Sequence, residues 1–111
     1  MNFDELKKLA EEGMPEAQYN LGLMYSLGKD VSKDNQAAIK WYQLAAEQGF
    51  AEAQTNLGLM YGKGQGVEQN FDRAVKWYRL AAEQGLAQAQ HNLGVMYGRG
   101  QGVAKDLFES V

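Results

Sequence analysis

Side chains able to catalyse a reaction are few in this sequence. The single histidine, His91, has no second metal ligand at a recognised spacing, and one imidazole does not form a metal site. The glutamates Glu11, Glu47 and Glu83 occupy equivalent places, but acid–base catalysis by a pair needs two carboxyl groups that converge in a pocket. The absence of cysteine excludes thiolate nucleophiles and Cys-type zinc sites. We therefore predict that the protein is not an enzyme and uses no metal or cofactor.

Two glycine-rich segments, 62–66 and 98–102, enclose the basic residues Lys63 and Arg99 and could suggest phosphate-binding loops. A phosphate loop follows a strand and ends in Lys-Ser or Lys-Thr. These segments instead follow helical patterns and occur in duplicate. They are predicted to be helix-to-helix turns in which glycine supplies positive φ.

The aromatic pairs Trp41-Tyr42 and Trp77-Tyr78 could stack on bases or sugars, but their recurrence on an apolar helical stripe favours core packing. The net charge of −3 and the absence of a Lys/Arg run argue against nucleic acid as a partner.

The composition is that of a globular protein, with 45% hydrophobic and 23% charged residues in a chain of 111. No apolar stretch approaches the roughly 18 residues needed to cross a bilayer, so membrane insertion is not expected. The N-terminus lacks the basic start and apolar segment of a signal peptide, which predicts a cytoplasmic protein. A signal already removed would make it periplasmic or secreted.

The chain is organised around a segment that occurs three times, at 20–31, 56–67 and 92–103, with a period of 36 residues. Residues 49–75 and 85–111 are identical at 15 of 27 positions. A fixed period of this length is typical of a solenoid whose units cannot bury their apolar faces alone.

Each unit is predicted to contain two helices. The first runs from Pro15 to about Leu27, with Ala17, Leu21, Met24 and Tyr25 on one apolar stripe. The second runs from about Asn35 to Gln48; Asp34 is its N-cap, Gly49 closes it in a left-handed conformation, and Ala38, Trp41, Tyr42 and Ala45 form its stripe. Asn70 and Asp106 hold the place of Asp34 in the later units.

Interior glycines recur in the first helix of each unit, at Gly22, Gly58 and Gly94. Such a glycine costs about 1 kcal/mol against alanine, so another interaction must offset it. We expect close approach of a neighbouring helix, with Trp41 or Trp77 as its large partner.

The Leu-Gly-x-x-Tyr pattern of the first helix resembles tetratricopeptide repeats, but that family repeats at 34 residues. The 36-residue period, the Gly-x-Gly-Val loop before an Asp/Asn cap, the Ala-x-x-Trp-Tyr pattern and the Ala-Ala-Glu-Gln-Gly ending resemble Sel1-like repeats. This resemblance implies an all-α fold, a right-handed α/α solenoid, and a role as an adaptor in protein complexes. The first copy departs from the pattern, since Asp30 replaces a loop glycine and makes this loop a candidate for a different shape. The third copy stops at Val111, before its Trp-Tyr pair.

The predicted organisation is one solenoid over 1–111, comprising an N-terminal capping half-repeat at 1–12, repeats at 13–48 and 49–84, and a truncated repeat at 85–111. The predicted function is a non-catalytic interaction module that binds a peptide or partner protein. The alternative is a structural self-assembling unit or a fragment of a longer array.

The predicted binding surface is the concave face, which the first helices line in tetratricopeptide-like solenoids. Removing the apolar stripe from each first helix leaves positions that differ among the copies. They are Glu16, Tyr19, Leu23, Leu27, Glu52, Thr55, Leu59, Lys63, Gln88, His91, Val95 and Arg99, with Asn20, Asn56 and Asn92 at the edge. The change from Glu16 to Lys63 and Arg99 suggests that an extended ligand carries its acidic residues toward the C-terminal repeats. Mere solvation of these residues is an equally good interpretation.

The truncated end predicts a second kind of contact. Since a full second helix is missing, apolar side chains near this end should be partly exposed and could form a homo-oligomer. These residues are Leu93, Met96, Tyr97, Leu107, Phe108 and Val111. A tail that folds back as its own cap is the alternative.

Overall fold

The computed structural model describes residues 2–102, which form six α-helices and no strand. Helices that follow one another in the chain pack together, giving an elongated body of 47 × 25 × 17 Å. This confirms the predicted all-α solenoid. The helices are α1 (Phe3–Glu11), α2 (Pro15–Leu27), α3 (Asn35–Glu47), α4 (Ala51–Lys63), α5 (Phe71–Glu83) and α6 (Ala87–Arg99).

The residues predicted to begin and end the helices do so in the structure. The Asp34 carboxylate accepts from the Ala37 amide at 3.0 Å, and Asn70 caps α5 in the same way. Gly49 has φ 90°, and the amides of Gly49 and Phe50 donate to carbonyls in the last turn of α3. This is a Schellman motif, which satisfies carbonyls left open at a helix end. The predicted cap at Asp106 lies outside the described residues.

The core follows the predicted stripes of the second helices. Trp41 and Tyr42 of α3 are buried, as are Trp77 and Tyr78 of α5, which confirms that the aromatic pairs are core residues rather than open stacking platforms. Helix α1 adds Phe3, Leu6, Leu9 and Ala10 to a cluster with Leu21 and Trp41, so it covers the apolar side of α2.

The interior glycines do permit close helix approach, but the predicted partner was wrong. A Cβ at Gly22 would lie 2.7 Å from the ring of Tyr42, and one at Gly58 would lie 2.8 Å from the ring of Tyr78. Neither Trp41 nor Trp77 is among the nearest contacts of these glycines. Adjacent helix residues point about 100° apart, and it is the tyrosine of each pair that faces the glycine.

The first loop keeps the backbone conformation of the later loops at the substituted position. Asp30 has φ 63°, close to the 74° of Gly66, so the expectation of a different shape was wrong there. Aspartate tolerates the left-handed region better than most residues. Space also differs, because a Cβ at Gly66 would lie 2.8 Å from the backbone of Asn35, whereas the Asp30 side chain is exposed. Helix α1 begins at Phe3, the counterpart of Ile39, and is therefore one turn shorter than α3 at this end.

Glutamines connect the end of each repeat to its own beginning. The Gln48 side-chain amide donates to the Gly13 carbonyl at 3.0 Å and to Gln18 Oε1 at 2.8 Å. Gln84 makes the same two bonds one repeat later, to Gly49 and Gln54. These bonds satisfy polar groups within each unit and hold the end of its second helix against the start of its first. None of the helices described here is long and apolar enough to cross a bilayer.

Candidate functional site

The predicted strip lies along α2, α4 and α6, and the exposure of its residues varies. Leu23, Leu59 and Val95 are half-buried, consistent with their expected place as an apolar floor. The exposed members are Glu16, Leu27, Glu52, Lys63, Gln88, His91 and Arg99. Their contact with a partner stays a prediction.

Thr55 corrects the predicted strip. Its side chain is 2% exposed, and its hydroxyl donates to the Ala51 carbonyl one turn earlier in α4. A buried side chain whose hydroxyl bonds to its own helix cannot contact a partner, so Thr55 does not belong to the binding surface. Its counterpart His91 is exposed and remains in the strip.

Tyr19, the third residue at this repeat position, joins two repeats. Its ring packs against Phe50 at a centroid distance of 5.3 Å and against Tyr42 at 5.9 Å. Burial raises the pKa of Tyr19, aided by the nearby carboxylate of Glu52, while a hydrogen bond with Asn56 opposes the shift. Much of the Tyr19 side chain therefore contacts other residues of the protein.

Asn56 belongs to the same inter-repeat contact. The Asn56 side chain lowers the pKa of Tyr19 and of Tyr42, which places it beside their hydroxyls, between the first and second repeats. This favours the structural interpretation of Asn56 over donation to a peptide backbone. Asn20 and Asn92 are half-buried, and their predicted role at the groove edge stays a prediction.

A pocket of about 410 Å³ lies between α4 and α6. It brings together six residues of the predicted surface, whereas the strip residues of α2 lie elsewhere. The described lining consists of Leu59, Gly62, Lys63, Gln69, Phe71, Tyr78, His91, Asn92, Val95, Met96, Arg99 and Gln101.

The lining is basic in a chain of negative net charge. Lys63 and Arg99 are exposed cations that approach from the last turns of α4 and α6. None of the described lining residues is acidic. The pocket therefore favours an anionic group over a cationic one.

Tyr78, in the wall of this pocket, differs from its counterpart Tyr42. Burial raises the pKa of Tyr42, and hydrogen bonds with Asn56 and Ser26 oppose that shift. Burial alone raises the pKa of Tyr78 to about 12. Among the described residues, no hydrogen bond to the Tyr78 hydroxyl is formed.

Two positions aligned with neighbours of Tyr42 carry different residues in the second repeat. Gly62 replaces Ser26 in the second repeat, and Thr55 replaces Tyr19. The first exchange removes a hydroxyl that could face Tyr78, and the second removes a large ring. Both exchanges are visible in the aligned copies. Tyr78, Gln69 and Gln101 were missed as lining residues, because spacing along the chain does not show which side chains border a pocket.

The predicted turns are confirmed, because Gly64 ends α4 with φ 69° and its amide donates back into that helix. Within residues 2–102, no group of three or more metal-binding side chains could hold an ion.

The predicted self-association surface is also partly corrected. Met96 is 6% exposed and packs in a core cluster with Ala74, Val75 and Tyr78, so it is not free for contact between copies. Leu93 and Tyr97 are half-buried. The remaining predicted residues, Leu107, Phe108 and Val111, lie outside the described part of the chain.

Comparison with known families follows the repeat pattern. A family model described as Sel1 repeat matches residues 15–50, 51–86 and 87–111. Each match begins at the first residue of α2, α4 or α6. No curated protein matches the chain.

Solved structures resemble the whole fold. A protective antigen of uropathogenic Escherichia coli with an SLR fold is 48% identical at a TM-score of 0.95, covering 99% of this chain and 24% of that one. A Sel1 repeat protein from Oxalobacter formigenes is 46% identical at 0.86, covering 89% and 41%. The cysteine rich protein B of Helicobacter pylori is 29% identical at 0.74, covering 80% and 70%. The chain thus spans less than half the length of the first two.

Proposed function

Since this chain belongs to the Sel1 repeat family, we propose that it is a non-catalytic adaptor that binds an extended segment of a partner protein along α2, α4 and α6. Sel1 repeat proteins generally mediate protein–protein interaction, and their fold is typically a non-catalytic scaffold. The binding face and the extended form of the ligand are what we propose for this chain.

The observation that carries the proposal is the pocket between α4 and α6. Its volume of about 410 Å³ is enough for side chains of a bound segment, and it opens on residues that differ among the repeats. The helical framework repeats, while Lys63, His91 and Arg99 change the chemistry presented on it. A repeated scaffold with varied side chains is how solenoids obtain extended, specific binding surfaces.

The test starts from a partner captured by the chain and mapped to a short segment. Affinity for that synthetic segment is then measured by calorimetry for His91→Glu and Arg99→Glu. Both residues are exposed, so the variants should stay folded, and we expect each to change the affinity by several-fold. Lys8→Glu on α1 is the control, because Lys8 is exposed but does not line the pocket.

Unchanged affinity in both variants, with melting temperatures intact, would exclude this face. Thr55→Glu is unsuitable, since it would bury a charge and unfold the chain instead of probing the surface. A chain that captures no foreign protein and sediments only as multiples of its own mass would favour the self-assembling alternative.

A further inference from the structure

Tyr78 is a core residue that carries a polar hydroxyl group. It is 4% exposed, its ring packs against Gly58, and yet it lines the pocket between α4 and α6. Among the described residues no hydrogen bond to its hydroxyl is formed. Since no buried side-chain nitrogen or oxygen among these residues lacks a partner, the Tyr78 hydroxyl is open to the pocket and can donate to an acceptor bound there.

Asn92 adds a second open donor. It is the counterpart of Asn56 and lines the same pocket as Tyr78. Its side-chain amide can donate to an acceptor bound in this pocket.

The charge around these donors selects among acceptors. Lys63 and Arg99 flank the pocket, and no described lining residue is acidic. A neutral carbonyl would use the donors but gain little from the cations. A carboxylate would use both, because hydrogen bonds to a charged group are the stronger kind.

We propose that this pocket seats an aspartate or glutamate side chain of the bound segment, with the Tyr78 hydroxyl and the Asn92 amide donating to its carboxylate between Lys63 and Arg99. This inference rests on the proposed function and adds the chemical class of the ligand at one position. The first repeat lacks one of the two cations, since Leu27 stands where Lys63 does.

The first experiment selects random dodecapeptides displayed on phage against the immobilised full chain. One arm uses the natural chain and the second uses Lys63→Glu with Arg99→Glu. The third uses Lys8→Glu with Lys29→Glu, which changes the net charge equally but lies off the pocket. We expect acidic residues to be enriched at one peptide position with the natural chain and the third arm, and to be lost in the second.

The outcomes separate the two proposals. Selected peptides with no acidic preference, or the same acidic peptides selected by the pocket variant, would overturn the carboxylate inference alone. Failure of the natural chain to select any peptide would overturn the proposed segment binding, and the inference with it.

The second experiment probes the Tyr78 hydroxyl with a selected acidic peptide and its twin in which Gln replaces the acidic residue. We expect the natural chain to bind the acidic peptide about tenfold more tightly than the twin. Tyr78→Phe should reduce that ratio to about threefold while keeping the ring against Gly58. Tyr42→Phe is the matched control and should leave the ratio unchanged. An unchanged ratio in Tyr78→Phe would refute the assigned donor.

A third variant introduces a residue of the first repeat in order to block the site. Gly62→Ser restores the hydroxyl found at Ser26, and a Cβ at this position meets only the Cβ of Ala74 at 3.7 Å, an ordinary contact. We expect a folded protein with at least threefold weaker binding of the acidic peptide, because serine would engage Tyr78. Undiminished binding in this folded variant would contradict the proposal.

Discussion

Substituting Gly58 by alanine should destabilise the protein even though alanine is the better helix former. The added Cβ would lie 2.8 and 2.9 Å from two ring atoms of Tyr78 and 3.2 Å from the Ala74 carbonyl oxygen. The ring is buried and the carbonyl belongs to the backbone of α5, so neither can move aside cheaply. Helices α4 and α5 would have to separate or distort.

The net effect is the difference of two terms. Overpacking a core typically costs about 1–3 kcal/mol, and contacts under 3 Å with a buried ring place this site in the upper part of that range. Replacing glycine by alanine inside a helix returns about 1 kcal/mol. We expect a net loss of about 1–2 kcal/mol and a fall in melting temperature of about 5–10 °C. Gly58→Leu should cost considerably more.

The control lies one turn later on the same helix. At Gly62 the nearest contact of an added Cβ is 3.7 Å, so Gly62→Ala should keep the helix gain and stabilise the protein by up to about 1 kcal/mol. Urea unfolding followed by far-ultraviolet circular dichroism measures both variants. A Gly58→Ala protein as stable as Gly62→Ala would refute the close-approach argument. The cost of Gly58→Ala should also shrink in a Tyr78→Leu background, as a double-mutant cycle can measure.

Four further expectations follow from the described contacts. Gln48→Ala should lose about 1–2 kcal/mol in urea unfolding, because its hydrogen bonds to Gly13 and Gln18 disappear, whereas Gln36→Ala at an exposed site should be nearly neutral. Asp30→Gly should raise the melting temperature by a few degrees, since glycine adopts φ 63° without the strain of about 1 kcal/mol that a side chain adds; a lowered value would argue against such strain. Because the folded-state pKa of Tyr78 is raised from 10.0 to about 12, its contribution to stability is complete below pH 10 and is lost as the pH rises to 12. Between pH 10 and pH 12 the free energy of unfolding of Tyr78→Phe should therefore fall by about 2–3 kcal/mol less than that of the natural chain. Equal falls in the two proteins would contradict this. Self-association through 93–111 should appear in light scattering at high protein concentration, and a monomer at millimolar concentration would exclude it.

The local architecture could be predicted because local residues determine it. The 36-residue period, the caps at Asp34 and Asn70 and the glycine closing α3 depend on hydrogen bonds and backbone angles within a few residues of each signal. The first-helix bounds of 15–27 agree with the structure for the same reason. The family resemblance rests on the recurring motifs and their 36-residue spacing, which are read directly from the residues.

The site could be predicted only in outline. The helical wheel places Thr55 beside His91 on one face, but a wheel does not tell how each helix is rotated against its neighbours. Thr55 is buried and His91 is exposed, although they hold the same repeat position. Met96 was expected near the surface and lies in the core with Ala74 and Val75.

The sequence by itself determined the repeat, the helices and the set of residues that vary along the first helices, because each follows from spacing and local bonding. Only the tertiary structure decided that Tyr78, not Trp77, meets Gly58, and that Tyr78 lines a pocket together with Lys63 and Arg99. These outcomes depend on how helices from adjacent repeats approach and rotate. That geometry is set by the sum of many packing contacts and hydrogen bonds between units, which no spacing within one unit encodes.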